Sequence, residues 1–282
     1  MPGPPRGAAL SETPPVVLVI AGSDSGGGAG IQADLRTLAA HGVFPTTAVC
    51  ALTAQNTRGV EAVHVAPLAI VAAQIDAVTS DFDVRVAKTG MLASAEIVEL
   101  VAGRAAAGTW PALVVDPVMV SASGDRLLEP EAESAYRRLL FPHASVVTPN
   151  LAEASVLVGA VIESVAEMGE VARELAGTGA GAVLVKGGHL DADVAVDVLW
   201  DGRRLHELAG PRVATTNNHG TGCSLASAIA AGLARGKELL PAVVSARAYV
   251  RRGLEAAVGW RLGRGHGPID HFAAAERPPP PR

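Results

Sequence analysis

The chain has 282 residues, 49% hydrophobic and 18% charged, with a formal net charge of −5. That composition supplies a sizeable core and excludes a disordered chain, and the negative balance speaks against nucleic acid, whose affinity comes from cations on phosphates. Two cysteines, Cys50 and Cys223, imply no disulfide framework, and no apolar run approaches the ~20 residues of a membrane span or a signal-peptide core, so a cytoplasmic protein without a membrane partner is expected. In chain order, residues 1–15 are Pro-rich and expected to be a disordered tail. Residues 16–20 are a β-branched run suited to a strand covered on both faces. A Gly-rich loop follows at 22–30, then helical spacing over 31–41 (Ile31, Leu35, Leu38) with Gly42 as its stop. Strands are expected at 46–52, 84–88, 112–115, 145–148 and 182–186. Helices are expected at 67–79, 95–107, 131–140, 151–158 and 164–176. Residues 194–199 and 203–208 flank Asp201-Gly202, a hairpin signal. Ala-rich helices close the chain at 221–235 and 241–258, and residues 273–282 form a second Pro-rich tail. Alternating strand and helix units predict an α/β fold with a mostly parallel sheet, and a single domain over residues 16–272.

In such sheets ligands bind beyond the carboxyl ends of the strands. Those loops carry the unusual polar residues: Ser23-Asp24, Gln55-Asn56, Met91, Asp116, Asn150 with Glu153, and Lys186 with His189. The segment from Asn218 to Ser224, with Gly220-Thr221-Gly222-Cys223 at its centre, enters a helix of small residues. Glycines allow close backbone approach, and the first helical turn offers N–H groups and a positive dipole end, so together they suit a phosphoryl group. The same dipole favours a thiolate at Cys223. A Gly turn capped by Thr221, with Cys223 as a small core residue, remains the plain alternative.

The loop at 22–30 contains Gly28-x-Gly30-x-x-Ala33, which fits a relaxed dinucleotide pattern. Gly177-x-Gly179-x-x-Ala182 fits it equally, and the strand ending near Leu52 offers no acid for a ribose, so a nicotinamide enzyme is disfavoured. Gly232 to Lys237 lacks the spacing of a Walker A loop. Asp116, Asn150 and Glu153 suit Mg²⁺ beside phosphate, although Glu153 alone would be a first-turn carboxylate. Lys186 ends a buried strand and calls for an anionic partner. No His/Cys cluster has zinc spacing.

Taken together, the ordered segments resemble the hydroxymethylpyrimidine/phosphomethylpyrimidine kinases of thiamine biosynthesis, a branch of the ribokinase superfamily. The segments begin at 20–34, 51–57 and 88–92 (Lys-Thr-Gly-Met-Leu). They continue at 114–119, 148–153 (Thr-Pro-Asn-Leu-Ala-Glu) and 184–189, and end at 219–223 (His-Gly-Thr-Gly-Cys) and 265–272. Ser25 stands where many members carry proline. The resemblance implies a three-layer αβα ribokinase-like fold. It also implies transfer of the ATP γ-phosphoryl group to 4-amino-5-hydroxymethyl-2-methylpyrimidine, and then to its monophosphate. It places Asp34, Gln55, Met91, Val118 and Gly22 around the pyrimidine, and Asp116 and Glu153 at Mg²⁺. Lys186, Asn150 and Thr221 fall on the nucleotide phosphates, and Gly220, Thr221, Gly222 and Cys223 on the anion hole, with Cys223 as base. The resemblance suggests a homodimer; the sequence shows no interface pattern of its own. The alternative within the same superfamily is pyridoxal kinase; a non-catalytic ligand-binding regulator would not need the Asp116, Glu153, Lys186 and Cys223 set.

Overall fold

The computed structural model describes residues 13–119, 130–188 and 194–273. Most of both Pro-rich segments, and His189, lie outside them.

Among the described residues, nine strands form one sheet in the order β3-β2-β1-β4-β5-β6-β7-β8-β9. They are β1 (Val16–Asp24), β2 (Phe44–Asn56), β3 (Gly59–Val65), β4 (Val84–Thr89), β5 (Leu113–Val115), β6 (Val146–Val147), β7 (Val183–Val185), β8 (Val194–Trp200) and β9 (Leu205–Pro211). The central strands pair in parallel from β2 through β7, whereas β3 joins one edge and β8–β9 the other antiparallel. Parallel strands need crossover helices, and these cover both faces. One face carries α2 (Leu68–Asp81), α3 (Ala95–Ala106), α4 (Pro130–Ala135), α5 (Leu151–Val158) and α6 (Val165–Ala176). The other carries α1 (Gly30–Ala40), α7 (Thr221–Ala234) and α8 (Leu239–Ala257). The period of two is visible in β1. Leu18 and Ile20 pack into the first layer, and Val17, Val19 and Ala21 into the second, all essentially inaccessible. This is the expected three-layer αβα architecture.

Three elements differ from expectation. The antiparallel strand β3 was not anticipated, because it is an exposed edge with no continuous apolar run. The helix expected at 131–140 is α only over Pro130–Ala135, then a π turn over Tyr136–Leu140 and a 3-10 turn over Phe141–His143. The last helix begins ahead of Pro241, which sits in its first turn where its missing N–H has no helical partner to lose. Among the described residues, no helix is long and apolar enough to cross a membrane.

Chain direction reverses at β1. Its neighbour β2 follows through α1 on one side, and β4 follows through α2 on the other. That switch point opens a crevice at the carboxyl ends of the strands.

Candidate active site

A cleft of about 1060 Å³ lies over those strand ends. It is floored by β1, β4 and Asp116, the residue after β5, and closed on one side by the start of α7. Asp24, the last residue of β1, organises the Gly-rich loop. Its Oδ1 accepts from the Gly26 amide at 2.7 Å, and its Oδ2 accepts from the Gly28 and Ala29 amides at 3.0 and 2.8 Å. His219 Nε2 lies 3.0 Å from the same Oδ2. Burial opposes the charge on Asp24, but the hydrogen bonds from His219 and the loop amides outweigh it and hold its pKa below the usual carboxylate value.

The loop packs directly on the start of α7. Gly220 caps that helix at φ 81°, and a Cβ there would stand 1.9 Å from Gly28 O. Glycine is therefore required twice over, by backbone angle and by space. Ser224 N donates to Gly220 O at 2.9 Å, and Thr221 Oγ1 donates to Asn218 O at 3.0 Å, which fixes the helical start.

Opposite that turn stands a charged group. Lys186 Nζ donates to Asp116 Oδ1 at 2.9 Å and lies 3.9 Å from Glu153 Oε2. Thr148 Oγ1 donates to the same Asp116 oxygen at 3.0 Å. A Cβ on Gly222 would lie 3.2 Å from Lys186 Nζ and 3.7 Å from Asp116 Oδ2, so the ammonium and the carboxylate both face the first turn of α7. Glu153 also serves the helix it starts. Asn150 Oδ1 accepts from Glu153 N at 2.8 Å, and Glu153 Oε2 accepts from Asn150 N at 2.7 Å, a complete capping box. The helix-start reading of Glu153 thus holds in geometry, and the same carboxylate neighbours Lys186. Burial and the Asp116 charge push its pKa up to about 7, against the pull of Lys186 and the Asn150 amide. Two buried carboxylates facing a helix start suit Mg²⁺, which binds through one or two carboxylates plus water and phosphate oxygens. Among the described residues no cluster of three or more His, Cys, Asp or Glu is placed to hold a metal alone.

Gly22, Gln55, Met91 and Val118 all line the cleft. A Cβ on Gly22 would sit 2.5 Å from Met91 Cε, so that pair is in close contact. Asp34 does not join them. Its carboxylate is wholly enclosed, taking Lys88 Nζ at 2.9 and 3.0 Å and the Ser227 hydroxyl at 2.7 Å. The physical reason is Lys88, a fully buried cation in an apolar strand that requires a counter-ion; Lys88, not Asp34, reaches the cleft wall. Burial disfavours the Lys88 charge, but Asp34 more than compensates and keeps it protonated. The expected thiolate at Cys223 is also corrected. Burial pushes that thiol up to about 12, against the Lys88 charge, so the helix dipole does not prevail.

Sequence reasoning gave no role to Asp24, Lys88 or His219. A signal existed for two of them: an acid directly before a glycine run, and a lysine inside a buried strand.

Residues 24–270 match the family model described as phosphomethylpyrimidine kinase. The chain is 51% identical over 259 residues to a hydroxymethylpyrimidine/phosphomethylpyrimidine kinase of Rhizobium meliloti (strain 1021), covering 91% of this chain and 97% of that one. The chain belongs to the phosphomethylpyrimidine kinase family. Among solved structures, it is similar to a phosphomethylpyrimidine kinase from Clostridium difficile 630, with TM-score 0.75 and 41% identity over 84% of this chain and 97% of that one. It is also similar to a Staphylococcus aureus pyridoxal kinase in complex with AMP-PCP and pyridoxal, with TM-score 0.86 and 34% identity, covering 94% and 96% of the two chains. In this kinase the first turn of α7 and Lys186 face each other across the cleft.

Proposed function

We propose that this kinase transfers the γ-phosphoryl group of ATP to the hydroxymethyl group of 4-amino-5-hydroxymethyl-2-methylpyrimidine, and then to the monophosphate so formed, in the cytoplasm. The observation that carries the reading is the Gly220–Cys223 turn facing Lys186 and Asp116, in a chain about half identical to kinases of that name. Phosphoryl transfer needs alignment and charge stabilisation more than covalent chemistry. The Gly220, Thr221 and Gly222 backbone receives the transferring group at a helix N-terminus. Lys186 balances its developing charge, with Asn150 and Thr221 beside the nucleotide phosphates. Mg²⁺, held by Asp116 and Glu153, would supply further neutralisation of the triphosphate. Gln55, Met91, Val118 and Gly22 hold the ring, and Asp34 acts behind them through Lys88. Cys223, once bound substrates have drawn off its own thiol proton, receives the hydroxyl proton in the first step; the second acceptor is an ionised phosphate and needs little base.

The test follows phosphorus NMR of ATP with the aminopyrimidine alcohol. Monophosphate and then diphosphate are expected; failure on both acceptors would end the reading. Pyridoxal kinase remains the second reading, supported by the likeness to the Staphylococcus aureus enzyme. Turnover of pyridoxal without phosphorylation of the pyrimidine monophosphate would favour it.

A further inference from the structure

Thr57 and residues 265–272 belong to the ordered sequence segments but received no role there, and the fold brings them together. Thr57 lies in the β2–β3 turn, at the open edge of the sheet. Its Oγ1 accepts from the Arg264 and Gly265 amides at 3.1 Å each, and its carbonyl oxygen accepts from the His266 amide at 2.8 Å. The approach leaves no room for side chains: a Cβ on Gly263 would stand 2.3 Å from Thr57 Oγ1, and one on Gly265 2.0 Å from Thr57 O. The same closing segment grips the start of α7. His266 Nδ1 meets Asn218 Oδ1 at 3.0 Å, and Gly267 O accepts from His219 N at 3.0 Å. Asn217 Nδ2 spends its two hydrogens on Ala257 O and Trp260 O, at 2.7 and 3.0 Å, which roots the segment at the end of α8. His266 thus holds one wall of the cleft through its backbone and the other through its ring. Gln55 lines the first wall, and Asn218 to Cys223 line the second.

We infer that Thr57 and His266 are positioning residues: together they tie the β2–β3 hairpin to the turn before α7 and so set the distance between acceptor and phosphoryl group. The inference rests on the functional reading above, in which the hairpin wall carries the acceptor and the α7 turn the phosphoryl group. The hairpin needs such a tie. Its outer strand β3 is an exposed edge that pairs with β2 alone, so the sheet supports it from one side only. At its base, Thr53 Oγ1 donates to Ser23 O at 2.9 Å, while Ser25 Oγ donates to Gln55 O at 2.7 Å and accepts from Gln55 N at 2.8 Å. Held there alone, the hairpin could pivot about those bonds. A second anchor at its tip, beyond Gln55, removes the pivot. Phosphoryl transfer feels such a pivot strongly, because reacting atoms must be in line at about 3–3.5 Å and a misplacement of about 1 Å costs on the order of 10²-fold. Thr57 and His266 stand outside the cleft lining, so they act on alignment and not on nucleotide binding.

The experiment measures kcat for the first phosphorylation and KM for ATP, per folded molecule, in the native protein, Thr57→Val, Thr57→Ser, His266→Phe and the double variant Thr57→Val with His266→Phe. Thr57→Val keeps the side-chain shape and removes the oxygen that two amides share. Its kcat should fall about tenfold or more while KM for ATP stays within about threefold. Thr57→Ser keeps that oxygen and should retain at least about half of the native kcat. His266→Phe should lower kcat about threefold or more by itself, but less than about twofold when Thr57 is already Val, because links in series cannot be broken twice. An unchanged kcat in Thr57→Val overturns the inference. So does equal loss in the Val and Ser variants, which would mark simple packing, and so do losses that multiply in the double variant, which would mark separate roles. His266 is exposed, so its replacement leaves the core intact. Should Thr57→Val fail to fold, His266→Phe decides alone, and a native kcat there overturns the inference. A native protein inactive on the aminopyrimidine alcohol ends both the functional reading and this one, whereas an active native protein with unmoved variants ends this one only.

Discussion

Cys223 is the residue whose chemistry depends most on its surroundings. Its thiol and that of Cys50 are both pushed up to about 12 by burial, so both are protonated at neutral pH. Iodoacetamide at pH 8 should therefore label neither thiol appreciably until the protein unfolds, as mass spectrometry would show. A base role at Cys223 then requires bound substrates to shift that balance. Cys223→Ala should slow the first phosphorylation by about 10²–10⁴-fold and the second by less than about tenfold in single-turnover assays. Equal losses would assign the thiol to packing instead. Lys88 gives a second prediction. Its replacement by Met leaves Asp34 as an unpaired buried carboxylate, which costs about 3–5 kcal/mol in urea unfolding. Adding Asp34→Leu should recover most of that loss, because the removed pair leaves no orphan charge. Asp34 was legible as a site residue only by its motif. The motif carries no information that Lys88, far away in sequence, stands between the acid and the cleft.

At the scale of elements, function depends on loops packed on one another and not on any one loop. The first Gly-rich loop and the turn before α7 touch at Gly28 and Gly220. A strap from the chain's end then fastens that turn. Gly267 O accepts from His219 N at 3.0 Å, and His271 Nε2 meets Ser224 Oγ at 3.0 Å. Burial, with Arg36 nearby, drops the His271 pKa to about 4 from its ordinary 6.5. A depressed histidine is neutral in the fold but takes a proton readily when unfolded. Stability from this group is therefore whole above pH 6.5 and is lost progressively as pH falls through about 4. Unfolding free energies measured across that window should decline less steeply in His271→Gln, by at most about 3 kcal/mol. The elements themselves were mostly legible. Strands buried on both faces must be continuous apolar runs, and helices show their stops and caps. The exposed β3 gave no such run, and the π turn depends on how Tyr136 packs, with its hydroxyl donating to Gly90 O at 3.1 Å.

For the whole molecule, the open edge of the sheet matters most. Leu52 and Val63 on the β2–β3 hairpin, with Leu68 and Ile70 on α2, are exposed apolar residues, 43–56% accessible. A second copy of the chain is the occupant expected there, since a bare edge strand with apolar side chains invites pairing. Light scattering after gel filtration should give twice the mass of one 282-residue chain, and Leu52→Glu with Val63→Glu should return the monomer. A monomeric native protein would remove the expectation of a homodimer.

The sequence by itself determined the layered parallel sheet, the strand-end loops that line the cleft and the glycine turn that opens α7. Each follows from local signals: apolar period, glycine placement and the residues at strand ends. Tertiary structure alone decided which groups in the cleft are charged and which way they face. Ionisation is set by burial and by partners distant in sequence, as when Asp34 keeps the buried Lys88 charged, which no local pattern encodes.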